Sequence, residues 1–183
     1  MRLFVGIPLA RLLAKEIATL VETLRTPTDG LRWTSPASWH ITLQFLGEVP
    51  AAQCSAVQSA LQGIQAEVVP VQLEGLSDWD RSGLLLLTVC RTPELLSLQK
   101  RVEEATGSCG FRPEERVWRP HITLARSKDR RALLAASQAA RQCPSSAFVA
   151  KEFFLYESFL SPAGSRYELR GRYPLQDLRI SGE

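Results

Sequence analysis

The chain has 183 residues and two histidines, His40 and His121, and each opens the same phrase, His-Ile-Thr-Leu. Side chains alternate along a strand, so His40 and Thr42 share one face while Ile41 and Leu43 take the other. His121 and Thr123 repeat the arrangement, with Ile122 and Leu124 on the packed face. If both strands border one cleft, two imidazoles and two hydroxyls surround one point. Such a set suits an in-line displacement at phosphorus. One imidazole takes the proton of the attacking oxygen, the other protonates the leaving oxygen, and a pKa near about 6.5 lets either do so at neutral pH. The hydroxyls can donate to non-bridging phosphate oxygens, and Arg126 can add a charge-assisted contact. A regular strand puts Arg126 on the face opposite His121, so it reaches the phosphate only if the strand ends or twists near Ala125. By the same alternation Phe45 belongs with Ile41 and Leu43 in the core.

Other chemistries find less support. No carboxylate or cysteine lies at ligand spacing beside either histidine, and two imidazoles alone make an incomplete metal set, so no metal or other cofactor is expected. No Gly-x-Ser-x-Gly elbow presents a nucleophilic serine. The four cysteines, Cys54, Cys90, Cys109 and Cys143, show no Cys-x-x-Cys spacing and read as reduced thiols. The net charge of +3 is small but unevenly placed. Arg112, Arg116, Arg119, Arg126, Lys128, Arg130 and Arg131 stand against Glu114, Glu115 and Asp129, and this basic stretch brackets the second motif. A phosphate-bearing partner fits that placement. No span approaches the roughly twenty apolar residues a membrane helix needs, and no signal-peptide pattern opens the chain. A cytoplasmic protein with no membrane partner is expected.

The surrounding elements repeat as well. "RLFVGIPL" reads as a buried strand, and residues 9–25 carry leucines, isoleucine and valine at helical spacing. "WHITLQFLG" is the first motif strand, a helix begins at Pro50, and "VVPVQLEGL" is a strand in which Pro70 demands an edge or a bulge. "LLLLTVC" then reads as a strand buried on both faces, and Thr92-Pro93 caps a helix that ends at Gly107. "HITLAR" is the second motif strand, and "DRRALLAASQAARQ" is a helix stopped by Cys143-Pro144. "FVAKEFFLYESFL" and "RYELRGRYPL" are strands joined by a "SPAGS" hairpin turn. Each half, about 1–78 and 79–183, thus reads strand, helix, motif strand, helix, strand, and His121 follows His40 by 81 positions (121 − 40). The pattern predicts an internal duplication and one two-lobed α+β domain over 1–183. Antiparallel sheets flanked by helices should then be related by an approximate two-fold axis through a central cleft.

With its two His-x-Thr-x motifs the chain resembles the 2H phosphoesterase superfamily. "RLFVGIP", "RWTSPASWHITLQFLGEV", "RPHITLARS" and "LYES" are most similar to the LigT-like RNA 2',3'-cyclic phosphodiesterases, or 2'-5' RNA ligase family. The resemblance implies metal-independent hydrolysis of an RNA 2',3'-cyclic phosphate to a 2'-phosphomonoester. His40 corresponds to the proton donor and His121 to the proton acceptor, an assignment the residues alone leave open. Thr42, Thr123 and Arg126 correspond to phosphate-binding positions. The implied partner is RNA or an oligonucleotide with a cyclic phosphate end, tRNA fragments included, acted on by a monomer. Two other readings stay open. One is a different 2H activity, on a small cyclic nucleotide or a 2'-5' linkage, including reversible ligation. The other is a non-catalytic nucleotide- or RNA-binding module.

Overall fold

The computed structural model describes residues 1–27, 29–139, 144, 146–161 and 164–177. In chain order the first elements are β1 (Arg2–Pro8), α1 (Arg11–Leu24), β2 (Arg32–Trp33), a 3-10 turn (Pro36–Ser38), β3 (His40–Glu48) and α2 (Ala51–Gln62). Next come β4 (Val69–Val71), β5 (Leu73–Trp79), a second 3-10 turn (Asp80–Ser82), β6 (Leu84–Val89) and α3 (Pro93–Gly107). The last are β7 (His121–Arg126), α4 (Arg130–Ala139), β8 (Phe148–Ala150), β9 (Glu152–Ser161) and β10 (Gly164–Pro174).

Local chemistry accounts for the helices. In α1 the apolar spacing buries Leu13, Ile17, Leu20 and Val21. Thr92 caps α3 by accepting a hydrogen bond from the Leu95 N–H at 3.3 Å, with Pro93 in the first turn, where its missing N–H costs nothing. Asp129 does the same for α4, its carboxylate accepting from the Arg131 N–H at 2.8 Å. Strand β6 buries Leu84, Leu85, Leu86, Leu87 and Val89, as a central strand covered on both faces must.

Two four-stranded antiparallel sheets form the lobes, in the orders β10-β9-β1-β3 and β2-β7-β6-β5. The motif strand β3 lies at the edge of its sheet and β7 one place in, with the two-residue β2 outside it, and the two motif strands contact each other across the lobes. The lobes do not coincide with the sequence halves. β5 comes from the first half yet pairs with β6 of the second, and β9 comes from the second half yet pairs with β1 of the first. One large core cluster runs through both lobes, and a smaller one seats Leu133 and Ala136 of α4 against Leu85 and Ala125.

Two segments expected as single strands are each divided. "VVPVQLEGL" breaks at Gln72, between β4 and β5, and "FVAKEFFLYESFL" breaks at Lys151, between β8 and β9. The short pieces β4 and β8 pair with each other, and Pro70 sits in that two-stranded ribbon, where a missing N–H is tolerated. At each break the carbonyl leaves the ribbon and accepts from the end of a neighbouring strand: Gln72 from the Cys90 N–H and Lys151 from the Leu175 N–H, both at 2.8 Å. The chain must turn there to feed two different sheets. The expected end of the last helix at Cys143 falls on residues 140–143, outside the described residues, as do Pro162 and Ala163 of the expected hairpin turn.

Gly83 joins the second 3-10 turn to β6 with φ +65°, and a Cβ there would lie 2.4 Å from the Ser127 carbonyl oxygen. Gly83→Ala should therefore lower stability by more than the roughly 1–2 kcal/mol of the left-handed backbone alone. Denaturant midpoints of the two proteins check this, and an unchanged midpoint would contradict the packing described.

Candidate active site

Each motif strand is interrupted at the same letter of its motif. Val5 pairs with Gln44 and Gly6 with Thr42, so Leu43 has no partner in the ladder. Leu85 pairs with Ala125 and Leu86 with Thr123, so Leu124 has none either. A bulge reverses the in-out alternation beyond it. Ile41, Leu43 and Gln44 are buried in the first strand, and Ile122, Leu124 and Ala125 in the second. The fifth residue after each histidine then rejoins the histidine's face. That residue is Phe45 in one strand and Arg126 in the other.

Phe45 is thus not in the core, as strict alternation placed it, but 67% exposed. Arg126 escapes the parity conflict by the same device and lines the cleft. A cavity of about 430 Å³ is lined by His40, Thr42, Phe45, His121, Thr123 and Arg126, among others. All five candidate site residues therefore meet in one place.

The two imidazoles are held alike. His40 Nδ1–H donates to the Ser38 carbonyl and His121 Nδ1–H to the Arg119 carbonyl, each at 2.8 Å and each two residues back. With Nδ1 fixed as the donor, Nε2 is the nitrogen that can accept or release a proton. Thr42 Oγ1 lies 3.1 Å from His40 Nε2 and donates to it while the ring is neutral.

The motif strands are tied to each other just where they bulge. Thr34, in the segment leading to β3, donates its hydroxyl to the Thr123 and Leu124 carbonyls at 2.9 and 2.8 Å. Its backbone N–H also donates to Leu124 at 2.8 Å, and the Trp39 indole N–H donates to its hydroxyl at 2.9 Å. In the reverse direction, the Trp118 indole N–H donates to the Thr42 carbonyl at 3.1 Å. Each approach segment therefore braces the other segment's strand. Trp33 lines the cleft, with its N–H on Asp29 Oδ2 at 2.8 Å, whereas Trp39 is buried.

Surroundings separate the two histidines. Phe4 lies 4.6 Å from the His40 ring, Tyr167 stands edge-on to it at 5.1 Å, and Tyr156 is 6.0 Å away. Burial in this aromatic box is the main reason the His40 pKa falls to about 4, with a smaller push from His121, while the bond to Ser38 opposes the fall. The same burial drives the Tyr156 phenol well above its usual range. His121 packs on Trp79 at 4.7 Å. Its pKa is also lowered by burial, against the pull of the Arg119 carbonyl, and the Arg126 cation lowers it further. Pattern reasoning missed Tyr167, Trp79 and Ser82, which line the cleft from elements distant from the motifs. A regular period of two could not have found Phe45. Among the described residues no three His, Cys, Asp or Glu side chains gather as a metal site would require.

Comparison with known proteins agrees with this geometry. The sequence profile of the 2'-5' RNA ligase superfamily matches residues 13–158. The chain is 26% identical over 174 residues to an RNA 2',3'-cyclic phosphodiesterase of Methanocaldococcus jannaschii, covering 92% of this chain and 98% of that protein. It is 34% identical over 130 residues to a protein of the same name from Aeropyrum pernix, covering 69% of this chain and 74% of that one. The crystal structure of E. coli LigT complexed with 3'-AMP superposes with a TM-score of 0.79 at 26% identity, over 96% of this chain and 98% of that one. Two antiparallel lobes with a histidine-threonine pair from each define a two-histidine phosphoesterase cleft. This chain belongs to the 2'-5' RNA ligase superfamily.

Gly6 backs the site. A Cβ there would lie 2.9 Å from the Ile41 carbonyl oxygen and 3.4 Å from His40 Cδ2. Gly6→Ala should therefore shift His40 and lower the turnover proposed below, at a stability cost of about 1–3 kcal/mol. Activity and melting temperature, measured together, check both halves, and retention of full activity would show that the ring does not depend on this contact.

Proposed function

We propose that this protein hydrolyses the 2',3'-cyclic phosphate at an RNA end to a 2'-phosphomonoester. His40 acts as the proton donor and His121 as the proton acceptor. One observation carries the reading: both imidazoles border one cavity, each with Nδ1 engaged by a carbonyl, which makes Nε2 the nitrogen that exchanges protons. The activity itself is the one for which relatives that match most of the chain are named.

In this reading His121 Nε2 removes a proton from water as its oxygen bonds to phosphorus. The bond from phosphorus to the 3'-oxygen breaks, and that oxygen takes the proton of His40 Nε2. The assignment of acid and base follows the resemblance of the two motifs to the family's. Burial holds both rings toward the neutral form, down to about 4 for His40, so His40 must gain its proton in the complex, whereas the Arg126 cation helps keep His121 neutral, the form a base needs. Thr42, Thr123 and Arg126 hold the non-bridging oxygens, where negative charge must stay neutralised as the bonds exchange. Both histidines come from a single chain, which supports a monomer as the working unit. Among the described residues no helix is long and apolar enough to cross a membrane, and RNA ends as substrate agree with action in the cytoplasm.

Release of 2'-phosphate from a nucleoside 2',3'-cyclic phosphate in the presence of chelator tests the function. Loss of turnover in chelator, or binding without turnover, would end it. His40→Ala and His121→Ala should each lower kcat by about 10²–10⁴-fold. Thr42→Ala and Thr123→Ala should cost less, on the order of 1.5–3 kcal/mol for one hydrogen bond to a charged oxygen. Equal losses at all four positions would contradict that division of roles.

The pH dependence follows from the burial of His40. With a pKa of about 4, His40 is neutral at pH 7 until an anion binds beside it. A bound phosphodiester favours the imidazolium and raises that pKa, so the ring stays protonated to higher pH in the complex. The alkaline limb of kcat should therefore lie at higher pH than that of kcat/KM, which reports the free enzyme. Coincident limbs would show that bound phosphate does not recharge His40.

A further inference from the structure

The bulge that turns Phe45 out of the core leaves its ring uncovered. Among the described residues Phe45 is the only exposed aromatic side chain; every other Phe, Tyr and Trp is buried or half-buried. The neighbouring aromatic rings of the cleft are engaged by protein: Tyr167 stands edge-on to His40, Trp79 packs on His121, and Trp33 is held by Asp29. Phe45 leans on Phe4 at 5.7 Å, and that buried ring also lies 4.6 Å from His40. One buried ring thus supports both the histidine and the exposed phenyl.

Duplication sets the place of this phenyl. Phe45 and Arg126 are the fifth residues after their histidines and both line the cleft, so an aromatic ring stands in one lobe where a guanidinium stands in the other. Along the ladder Thr42 faces Gly6 and Phe45 faces Phe4. The phenyl is therefore two steps from the phosphate-binding threonine, roughly 7 Å along the strand. That is the reach from a cyclic phosphate across its ribose to the base. It is also the lobe that must hold the nucleoside. Water approaches phosphorus opposite the leaving oxygen, so the ribose lies on the side of His40, and Phe45 belongs to the strand of His40.

A 2',3'-cyclic phosphate presents two oxygens of nearly equal chemistry, and a histidine and a threonine from each lobe do not by themselves choose between them. Turning the ribose over exchanges the 2'- and 3'-oxygens beside His40 and carries the base to the other side of the sugar. We propose that Phe45 stacks on the base of the terminal nucleotide and so decides which oxygen leaves. The proposal rests on the cyclic phosphodiesterase reading and adds to it the source of its regiochemistry. With the base on Phe45 the 3'-oxygen faces His40, its bond to phosphorus breaks, and the 2'-phosphate results. In the reversed seating the 2'-oxygen takes the His40 proton, its bond to phosphorus breaks, and the product is the 3'-phosphate. Stacking uses the face of a base and reads none of its edges, so every base is accepted.

Adenosine 2',3'-cyclic phosphate and methyl riboside 2,3-cyclic phosphate differ by the base alone. The intact protein should give only the 2'-phosphate from the nucleotide, read by phosphorus NMR, and both isomers from the riboside. Phe45→Leu keeps an apolar side chain at an exposed position, so its melting temperature should match that of the intact protein. It should lower kcat/KM on the nucleotide about tenfold, mostly through KM, and release 3'-phosphate beside the 2'-isomer, with the riboside rate unchanged. Phe45→Tyr, which keeps the ring, should restore both rate and product. A single isomer from the riboside, a purely 2'-phosphate product from Phe45→Leu, or an equal loss on both substrates overturns the proposal. If neither substrate is turned over, the phosphodiesterase reading has failed, and Phe45 is judged by titration instead. Adenosine 2'-phosphate should then bind the intact protein about tenfold more tightly than the base-free methyl riboside 2-phosphate. Equal binding of the two would overturn the stacking.

Discussion

The cross-bracing of two interrupted strands is the contact on which the site depends. A strand of strict period two cannot direct its first, third and sixth residues to one side, and these are the positions this cleft uses. Letting Leu43 and Leu124 drop out of the ladder solves the geometry in both lobes, but a bulge leaves backbone carbonyls in need of donors. Thr34 serves the Thr123 and Leu124 carbonyls, and Trp118 serves that of Thr42. Those donors come from the opposite strand's approach segment. The same hydrogen bonds that satisfy the bulges therefore hold the two lobes in register.

Symmetry of the frame coexists with asymmetry of the contents. Both rings hang from a carbonyl two residues back, yet one sits among Phe4, Tyr156 and Tyr167 and the other against Trp79. The sixth position of each motif strand differs too, an aromatic ring in one and a guanidinium in the other. A duplicated scaffold starts with two equivalent imidazoles, whereas acid-base catalysis needs unequal ones. The inequality arises from neighbours outside the duplicated motif. An environment that discourages charge on both rings also makes the protonation state responsive to whatever anion enters.

Much of this architecture was legible before any coordinates, because duplication makes a weak local pattern strong when it recurs. The paired motifs, the order of elements and the convergence of His40, Thr42, His121 and Thr123 all follow from alternation and repetition. Phe45 was misplaced because a bulge leaves no mark on a hydrophobic pattern that expects one residue per step; Leu43 and Gln44 are simply both buried. The breaks at Gln72 and Lys151 were hidden for a related reason. A run of strand-forming residues does not record that its two ends belong to different sheets. Tyr167 and Trp79 reach the cleft through pairings that span much of the chain, which no local window contains.

The exchange of strands between lobes also fixes the order of events in which the molecule can form. β1 begins at Arg2 but finds one of its two partners in β9, where Leu3 stands opposite Glu157. The first lobe is therefore without a neighbouring strand until most of the chain has left the ribosome. Contacts of such long sequence separation must close large loops before they stabilise anything, which slows folding relative to a fold of local pairings. During synthesis β1 and β3 present an unpaired edge of buried-type residues, and that interval is when the nascent chain is most exposed to wrong partners. The arrangement that joins two similar halves into one catalytic body thus concentrates its risk in the interval before the body exists.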